Sequence, residues 1–118
     1  MEKFSISLPL KAEYLTTVRL TTGGLCALAG FDVDTAEDYK VCVTEGLLIL
    51  RRNGFLTATV TFTVGETLAC VMQGVGERGE KESSMEDEIS RALLSALLGK
   101  VEFTGASDGL VDTIAFEG

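Results

Sequence analysis

The sequence contains no histidine and no tryptophan, and it has one proline and three cysteines in 118 residues. Without histidine it lacks the usual general base near neutral pH and the usual nucleophile–histidine triads. Cys26, Cys42 and Cys70 are far apart in apolar surroundings, and no Cys-x-x-Cys pair is present, so we predict no metal site. An odd number of scattered cysteines is typical of reduced core thiols in a cytoplasmic protein.

Long apolar runs and basic clusters are also absent. No apolar run approaches the roughly 20 residues that a transmembrane helix needs, and Met1-Glu2-Lys3 does not begin a signal peptide. The formal net charge is -8, so the phosphates of a nucleic acid would be repelled. We therefore predict a cytoplasmic protein that binds neither membranes nor nucleic acid, folded as a single domain over residues 1–118.

Alternation of apolar and polar residues predicts five strands. They are Phe4 to Leu10, Phe55 to Val64, Thr67 to Gln73, Val101 to Phe103 and Leu110 to Phe116. Pro9 favours an edge position for the first strand. In the second, Leu56 is assigned to the core side and the threonines to a solvated or partner-binding face. Ser107-Asp108-Gly109 predicts a hairpin turn between the last two strands.

Apolar spacing of three to four residues predicts three helices. They are Glu13 to Ala29, Ala36 to Arg52 and Met85 to Leu98. In the first helix Leu28 is assigned an apolar position, and the second is capped by Asp34 or Thr35. Ser83 or Ser84 is predicted to cap the third helix, after a mobile glycine-rich loop over Gly74 to Ser84. The predicted buried stripe of the third helix is Met85, Ile89, Ala92, Leu93, Ala96 and Leu97.

The order strand, helix, helix, strand, strand, helix, strand, strand predicts an α/β (α+β) two-layer sandwich. Three helices would cover one face of a mostly antiparallel mixed sheet of about five strands. In the second helix, Glu45 borders the apolar face and stands one turn from both Val41 and Ile49. A carboxylate beside a core stripe costs free energy unless it has a partner, so Glu45 is the glutamate best placed for chemistry.

This order of elements, with its residues, resembles the anti-sigma-factor serine kinases of the GHKL (histidine kinase-like) ATPase superfamily. Four stretches carry the resemblance: LPLKAEYLTTVRLTTGGLCALAGF (Leu8 to Phe31), EDYKVCVTEGLLIL (Glu37 to Leu50), VMQGVGERG (Val71 to Gly79), and the helix and hairpin from Ile89 to Phe116. The resemblance covers nearly the whole chain. It implies a domain that binds a sigma factor, phosphorylates an antagonist protein and forms a homodimer.

The chain departs from the family at its nucleotide contacts. The family's second helix supplies a glutamate as general base and, one turn later, an asparagine that ligates Mg²⁺ on ATP. Glu45 matches the glutamate, but Ile49 stands at the asparagine position and offers no oxygen to the metal. In the first glycine box Gly74 and Gly76 match, but Met72 replaces the aspartate that accepts the adenine amino group.

The second glycine box is replaced by SSMEDEIS, whose acids would repel a triphosphate by about 1 kcal/mol or more each at close range. With three nucleotide contacts changed, we predict a non-catalytic, anti-sigma-factor-like regulatory module that has lost ATP binding and takes no cofactor. On this interpretation Glu45 is a helix glutamate paired with a lysine, an arginine or a backbone donor, and Gly74-Val75-Gly76 is a turn after a strand.

Two other functions stay open. The first is a divergent ATP-dependent serine protein kinase, in which Glu45 is the base and Glu86 or Asp87 holds the metal. The second is a small-molecule sensor whose apolar cavity is lined by Ile49 and Met72. The predicted partner is a sigma factor or an anti-sigma antagonist. Arg19 matches a family arginine that contacts the sigma factor, and it is equally consistent with an ordinary exposed helix arginine.

Overall fold

Eight elements follow the predicted order in the structure, a computed structural model that describes residues 2–76, 85–98, 100–105 and 111–118. They are β1 (Glu2–Pro9), α1 (Ala12–Leu28), α2 (Val33–Arg52), β2 (Thr57–Val64), β3 (Leu68–Val75), α3 (Met85–Leu98), β4 (Val101–Gly105) and β5 (Val111–Glu117). The predicted turn at residues 107–109, the serine caps of α3 and residues 77–84 of the predicted loop lie outside the described residues.

The five strands form one sheet in the order β1-β2-β3-β5-β4. All four pairings between neighbouring strands are antiparallel, so the sheet is not mixed. The two helices between β1 and β2 return the chain in the opposite direction, which makes this pair antiparallel. The predicted two-layer α+β architecture is confirmed, and β1, which ends at Pro9, lies at an edge of the sheet.

The helical layer is centred on α2, which contacts β2, β3 and β5 and has α1 and α3 as its helical neighbours. Because the sheet and two helices cover it, α2 buries a broad part of its surface. Its buried residues are Tyr39, Cys42, Val43, Gly46, Leu47, Ile49 and Leu50. The sequence pattern missed Tyr39. Its hydroxyl donates to the Leu68 carbonyl at 2.8 Å, and its ring makes edge-to-face contacts with Phe31 and Phe116.

The two faces of the sheet differ in the way the alternation predicts. On the helix side, Val60, Met72 and Ile114 form one row across β2, β3 and β5, and all three are buried. The other face carries the threonines of β2. There the hydroxyls of Ser5 and Thr61 lie 3.1 Å apart, as do those of the next such pair along the strands.

Two leucines that were assigned to the core are exposed. Leu56 is 77% exposed and lies just before β2, which begins at Thr57. Its carbonyl accepts a hydrogen bond of 2.8 Å from the Leu10 amide. Leu28 is the last residue of α1 and also faces solvent, while Leu25 and Cys26 fill the core at this end of the helix.

The start of α2 also differs from the prediction. Neither Asp34 nor Thr35 is the cap, because the helix begins earlier, at Val33. Asp32 is the N-cap, and its carboxylate accepts from the Thr35 amide at 2.7 Å. This hydrogen bond lowers the pKa of Asp32, because it favours the charged form.

The orientation of α3 contradicts the predicted stripe. Met85 is 75% exposed and Ile89 is 61% exposed. The residues that α3 buries are instead Asp87, Ser90 and Leu94. This face packs against α2, where Ser90 and Asp87 have polar partners.

None of the described helices is both long enough and apolar enough to span a bilayer.

Candidate functional site

Glu45 is half-buried in the middle of α2, at the border of the apolar face as predicted. Its Oε2 accepts a hydrogen bond of 2.7 Å from the hydroxyl of Ser90 on α3. Among the described residues the partner of Glu45 is therefore a serine, and not the expected lysine, arginine or backbone donor. Sequence reasoning missed Ser90 because a serine in an otherwise ordinary helix carries no motif.

Arg52, at the end of α2, connects to the same serine. Its side chain is 14% exposed, and its Nη1 donates to the Ser90 hydroxyl at 3.0 Å. Arg52 Nη1 also lies 3.6 Å from Asp87 Oδ1. Arg52 Nε lies 3.8 Å from a carboxylate oxygen of Glu86. Arg52 therefore joins α2 to α3.

Asp87 lies between two arginines. Its side chain is 10% exposed, and its two oxygens lie 3.6 Å from Arg52 Nη1 and 3.6 Å from Arg91 Nε. The guanidinium group of Arg91 also stands over the ring of Phe103 at 5.3 Å. We call Glu45, Arg52, Glu86, Asp87, Ser90 and Arg91 the α2–α3 polar cluster. It contains three carboxylates and two guanidinium groups, so its formal charge is -1.

Ile49 and Met72 are fully buried, with no exposed surface. A Cβ added at Gly46 would lie 2.2 Å from the terminal methyl of Met72, so that side chain occupies the space beside the glycine. Gly46 on α2 allows Met72 on β3 to approach the helix backbone this closely. The two residues proposed to line a sensor cavity are thus part of the packed core.

The two glycines of the glycine-box match have different environments. Gly74 lies inside β3, opposite Ala58 of β2, rather than in a turn after the strand. A Cβ added there would lie 2.4 Å from the ring of Phe55, so Gly74 is required for packing. Gly76 follows the strand with a φ of 88°, a conformation that favours glycine.

Arg19 lies on α1, away from these residues, with about half of its side chain exposed. Its Nη2 is 3.9 Å from Glu37 Oε2, and Glu37 is also 2.6 Å from the ammonium of Lys40. The hydrogen bond and charge of Lys40 lower the pKa of Glu37. The next residue, Leu20, is 74% exposed. Arg19 contacts Glu37 and Glu45 contacts Ser90, so the structure does not bring Arg19 together with Glu45.

The cysteines are buried, and burial controls their ionisation. It raises the pKa of the Cys42 thiol to about 12 and also raises the pKa of Cys70. For Cys26, burial raises the pKa and the charge of Lys40 opposes the shift. The thiols are therefore protonated near neutral pH, which makes them poor nucleophiles.

A depression of about 510 Å³ lies on the sheet, away from Ile49 and Met72. Its lining includes small side chains of β3 and β5, among them Val71 and Ala115, with Lys100 and Glu102 beside them. Cys70 is among its lining residues, whereas Arg19, Glu45 and Gly74 are not.

Together these elements define the class of fold as an α+β sandwich, in which a five-stranded antiparallel sheet and three helices are arranged compatibly with a GHKL-like domain. No family model matches the chain. Over 44 residues the chain is 41% identical to the serine-protein kinases RsbW of Bacillus cereus (strain AH187), Bacillus thuringiensis (strain Al Hakam) and Bacillus mycoides (strain KBAB4). The matched segment is 37% of this chain and spans 28% of the length of each relative.

Proposed function

We propose that this chain is a non-catalytic, anti-sigma-factor-like regulatory module that binds a protein partner in the cytoplasm and has lost ATP binding. The observation that carries the proposal is the α2–α3 polar cluster. The resemblance would place nucleotide phosphates and Mg²⁺ between Glu45 on α2 and the start of α3. In this chain the carboxylate of Glu45 accepts from Ser90, and Arg52 contacts the acids of α3.

The residues at the metal-ligand and adenine positions support the same proposal. Ile49, at the metal-ligand position, is fully buried and has no oxygen in its side chain. Met72, at the adenine position, is packed beside Gly46. Glu86 and Asp87 approach arginines and would meet a triphosphate as like charges.

The proposed partner-binding surface is the outer side of α1. Arg19 and Leu20 are exposed there, and Leu28 is exposed at the end of the helix. A Cβ added at Gly24, between the two leucines, would have no described heavy atom within 4 Å. A glycine inside a helix costs about 1 kcal/mol relative to alanine. Since described packing does not offset this cost, close approach of a partner's backbone would explain Gly24. The partner proposed is a sigma factor or an anti-sigma antagonist.

A divergent serine protein kinase is the competing function. Two observations favour it: Glu45 is half-exposed, and the chain has partial similarity to proteins named as serine-protein kinases. In that case Mg-ATP would bind between α2 and α3 and would have to displace contacts of the α2–α3 polar cluster.

A nucleotide titration separates the two functions. Saturable Mg-ATP binding would stabilise the folded protein by about 2.7 kcal/mol at a hundredfold excess over Kd. We expect no shift in the thermal midpoint at millimolar Mg-ATP, with an RsbW serine-protein kinase as the positive control. A saturable shift that disappears in Glu45→Gln would overturn the loss of ATP binding.

A binding experiment tests the proposed partner. Calorimetry measures the affinity of the chain for purified proteins encoded beside its gene. We expect Arg19→Glu to weaken binding of the cognate protein at least about tenfold, a loss of about 1.4 kcal/mol. Arg51→Glu makes the same charge change at an exposed arginine of α2 and is the control. Equal effects of the two variants, or no binding by any sigma factor or antagonist tested, would count against the proposal.

A further inference from the structure

The strand β1 forms one edge of the sheet, and the proposed function does not use it. It pairs with β2 in an unbroken register over its whole length. Just beyond the strand, the amide of Leu10 donates to the carbonyl of Leu56 at 2.8 Å. Hydrogen-bonded and non-hydrogen-bonded pairs alternate in an antiparallel ladder. Every second residue before Leu10 therefore also directs its backbone N–H and C=O groups towards β2.

The residues in between direct their backbone groups away from the sheet. They are Lys3, Ser5, Ser7 and Pro9, and all four are exposed. Pro9 has no N–H, and its carbonyl accepts from the Lys11 amide at 2.9 Å, so pairing along this edge stops there. The N–H and C=O groups of the other three have no partner in a described strand, because β1 is the terminal strand of the sheet.

The opposite edge of the sheet is less suited to pairing. There β4 has only 5 residues, and its register shifts between Thr104 and Gly105. Short strands and bulges are two of the ways in which proteins prevent pairing at a sheet edge. In contrast, β1 has 8 residues and no register shift, and its proline lies at its end. The edge of β1 is therefore the better template for an added strand.

The side chains of β1 indicate which segment would fit beside it. On the helix side, Leu8 is buried, Ile6 is half-buried and Phe4 is 44% exposed. Apolar side chains of an added strand would lie beside Ile6 and Phe4 and would cover them. On the open face, the hydroxyls of Ser5 and Ser7 each lie 3.1 Å from a threonine hydroxyl of β2. Serine or threonine in the added strand would extend these rows of hydroxyl groups.

We propose that the free edge of β1 binds an extended segment of a different protein, which adds an antiparallel strand to the sheet. The segment pairs with Lys3 to Ser7, and in it serine or threonine alternates with apolar residues. In this mode of recognition backbone hydrogen bonds supply affinity and alternate side chains supply specificity.

Charge favours such a partner over a second copy of the chain. The formal net charge of -8 attracts a segment flanked by basic residues. A second copy would bring the same negative charge to the interface. The proposed contact also lies on β1, so it is separate from the partner-binding surface proposed on α1.

The first experiment is amide hydrogen exchange of the intact, isotope-labelled chain, measured by NMR. In the free chain the amides of Phe4 and Ile6 are expected to exchange slowly, because they donate to β2, whereas those of Ser5 and Ser7 exchange fast. The probe is the synthetic peptide Lys-Thr-Val-Thr-Val-Thr-Lys. At a tenfold excess of free peptide over Kd, exchange at Ser5 and Ser7 is expected to slow about tenfold.

Two N-methylated forms of this peptide are matched controls for the backbone contacts. Methyl groups on the threonine nitrogens remove the N–H groups that would face β1, so the affinity is expected to fall at least about tenfold. Methyl groups on the valine nitrogens remove N–H groups that would face solvent. This second peptide is expected to bind within about threefold of the unmodified one.

Two substitutions at one position test the same contacts from the side of the chain. Ser5→Pro removes an N–H that points away from β2, so the protein is expected to fold while its affinity for the peptide falls at least about fivefold. Ser5→Ala removes the hydroxyl but keeps this N–H, and it is expected to bind within about threefold of the unmodified chain. Circular dichroism and thermal melting establish whether both variants are folded.

Several outcomes would overturn the proposal. They are no saturable slowing of exchange at Ser5 and Ser7, equal slowing at the amides of β4, and equal affinities of the two N-methylated peptides. Loss of folding in Ser5→Pro would show that this N–H is needed within the chain. Slow exchange at Ser5 and Ser7 in the free chain that becomes faster on dilution would assign the edge to a second copy. None of these outcomes bears on Arg19 or on ATP, so the proposed function is tested separately.

Discussion

Three glycines lie within helices or strands, and the space around their Cα atoms differs. At Gly46 an added Cβ would meet the methyl of Met72, and at Gly74 it would meet the ring of Phe55. At Gly24 it would meet no described heavy atom within 4 Å. The first two glycines permit tight packing between elements, so replacing them would force neighbouring groups to move. Gly24 weakens its helix without a described packing contact that requires it.

We therefore predict opposite effects for the same substitution at two of these positions. Gly74→Ala should destabilise the fold by about 1–3 kcal/mol, because the Phe55 ring or the β3 backbone must shift. Gly24→Ala should stabilise the fold by up to about 1 kcal/mol, because alanine is the better helix former. Urea unfolding of the two variants beside the unmodified chain measures both changes. A destabilised Gly24→Ala would show that this position is packed within the folded chain.

The residues at the candidate site were easier to predict than their contacts. The absence of a metal ligand at Ile49 and of a strong acceptor at Met72 follows from side-chain chemistry alone, and the structure adds that both are fully buried. The partner of Glu45 could not be predicted, because Ser90 is 45 residues away. A hydrogen bond over such a separation depends on how α3 packs, which no local pattern in the sequence specifies.

At the scale of elements, α3 shows why an amphipathic pattern does not always identify the buried face. The bounds of α3 were predicted correctly, but the apolar stripe was assigned to the wrong side. The pattern ranks faces by hydrophobicity, whereas this helix packs through the α2–α3 polar cluster. In contrast, the alternation in β2 identified both faces of that strand from Ala58 to Phe62, because a strand in a two-layer sheet has one covered face and one open face.

The α2–α3 polar cluster predicts unequal effects at two neighbouring arginines. Arg52→Met keeps most of the apolar stem but leaves Ser90 and Asp87 without the guanidinium group. The free energy of unfolding should fall by about 1–3 kcal/mol, because Ser90 and Asp87 each lose one of their two partners. Arg51→Met removes the same charge at an exposed position and should change stability by less than about 0.5 kcal/mol.

Guanidinium chloride would screen the ion pairs, so unfolding of these two variants is best measured in urea. Amide exchange in α3 provides an independent readout, since loss of the contact with α2 should speed exchange there more than in β2. Equal stabilities of the two variants would mean that α3 is held mainly by Leu94 and its apolar neighbours.

For the whole molecule, the order of elements and the two-layer architecture were predictable because each strand and helix has a strong local period. The strictly antiparallel sheet was less predictable, since the pairing of β3 with β5 skips β4 in the chain. The α2 helix is covered by the sheet and by two other helices, so it buries Tyr39 as well as Ile49 and its apolar neighbours. Such coverage from several sides arises only in the assembled fold.

The buried tyrosine and cysteines of this core predict a loss of stability at alkaline pH. Burial raises the pKa of Tyr39 and of the thiols, with Cys42 at about 12. In the unfolded chain a thiol ionises near its ordinary pKa of 9.0. Above that pH the unfolded state holds fewer protons than the folded state, so the free energy of unfolding falls as pH rises. The stabilisation is complete below about pH 9 and is lost progressively towards pH 12.

Thermal melts in reducing buffer at pH 7, 8, 9 and 10 would measure this dependence. Each thiol can contribute a slope of up to about 1.4 kcal/mol per pH unit above pH 9. Cys42→Ala removes one buried thiol and should give a shallower decline above pH 9, whatever its effect on stability at pH 7. The prediction fails if the melting temperature is constant from pH 7 to pH 10, or if Cys42→Ala declines as steeply as the unmodified chain. The second result would assign the alkaline loss to the other buried groups, because only the Cys42 contribution is absent from that variant.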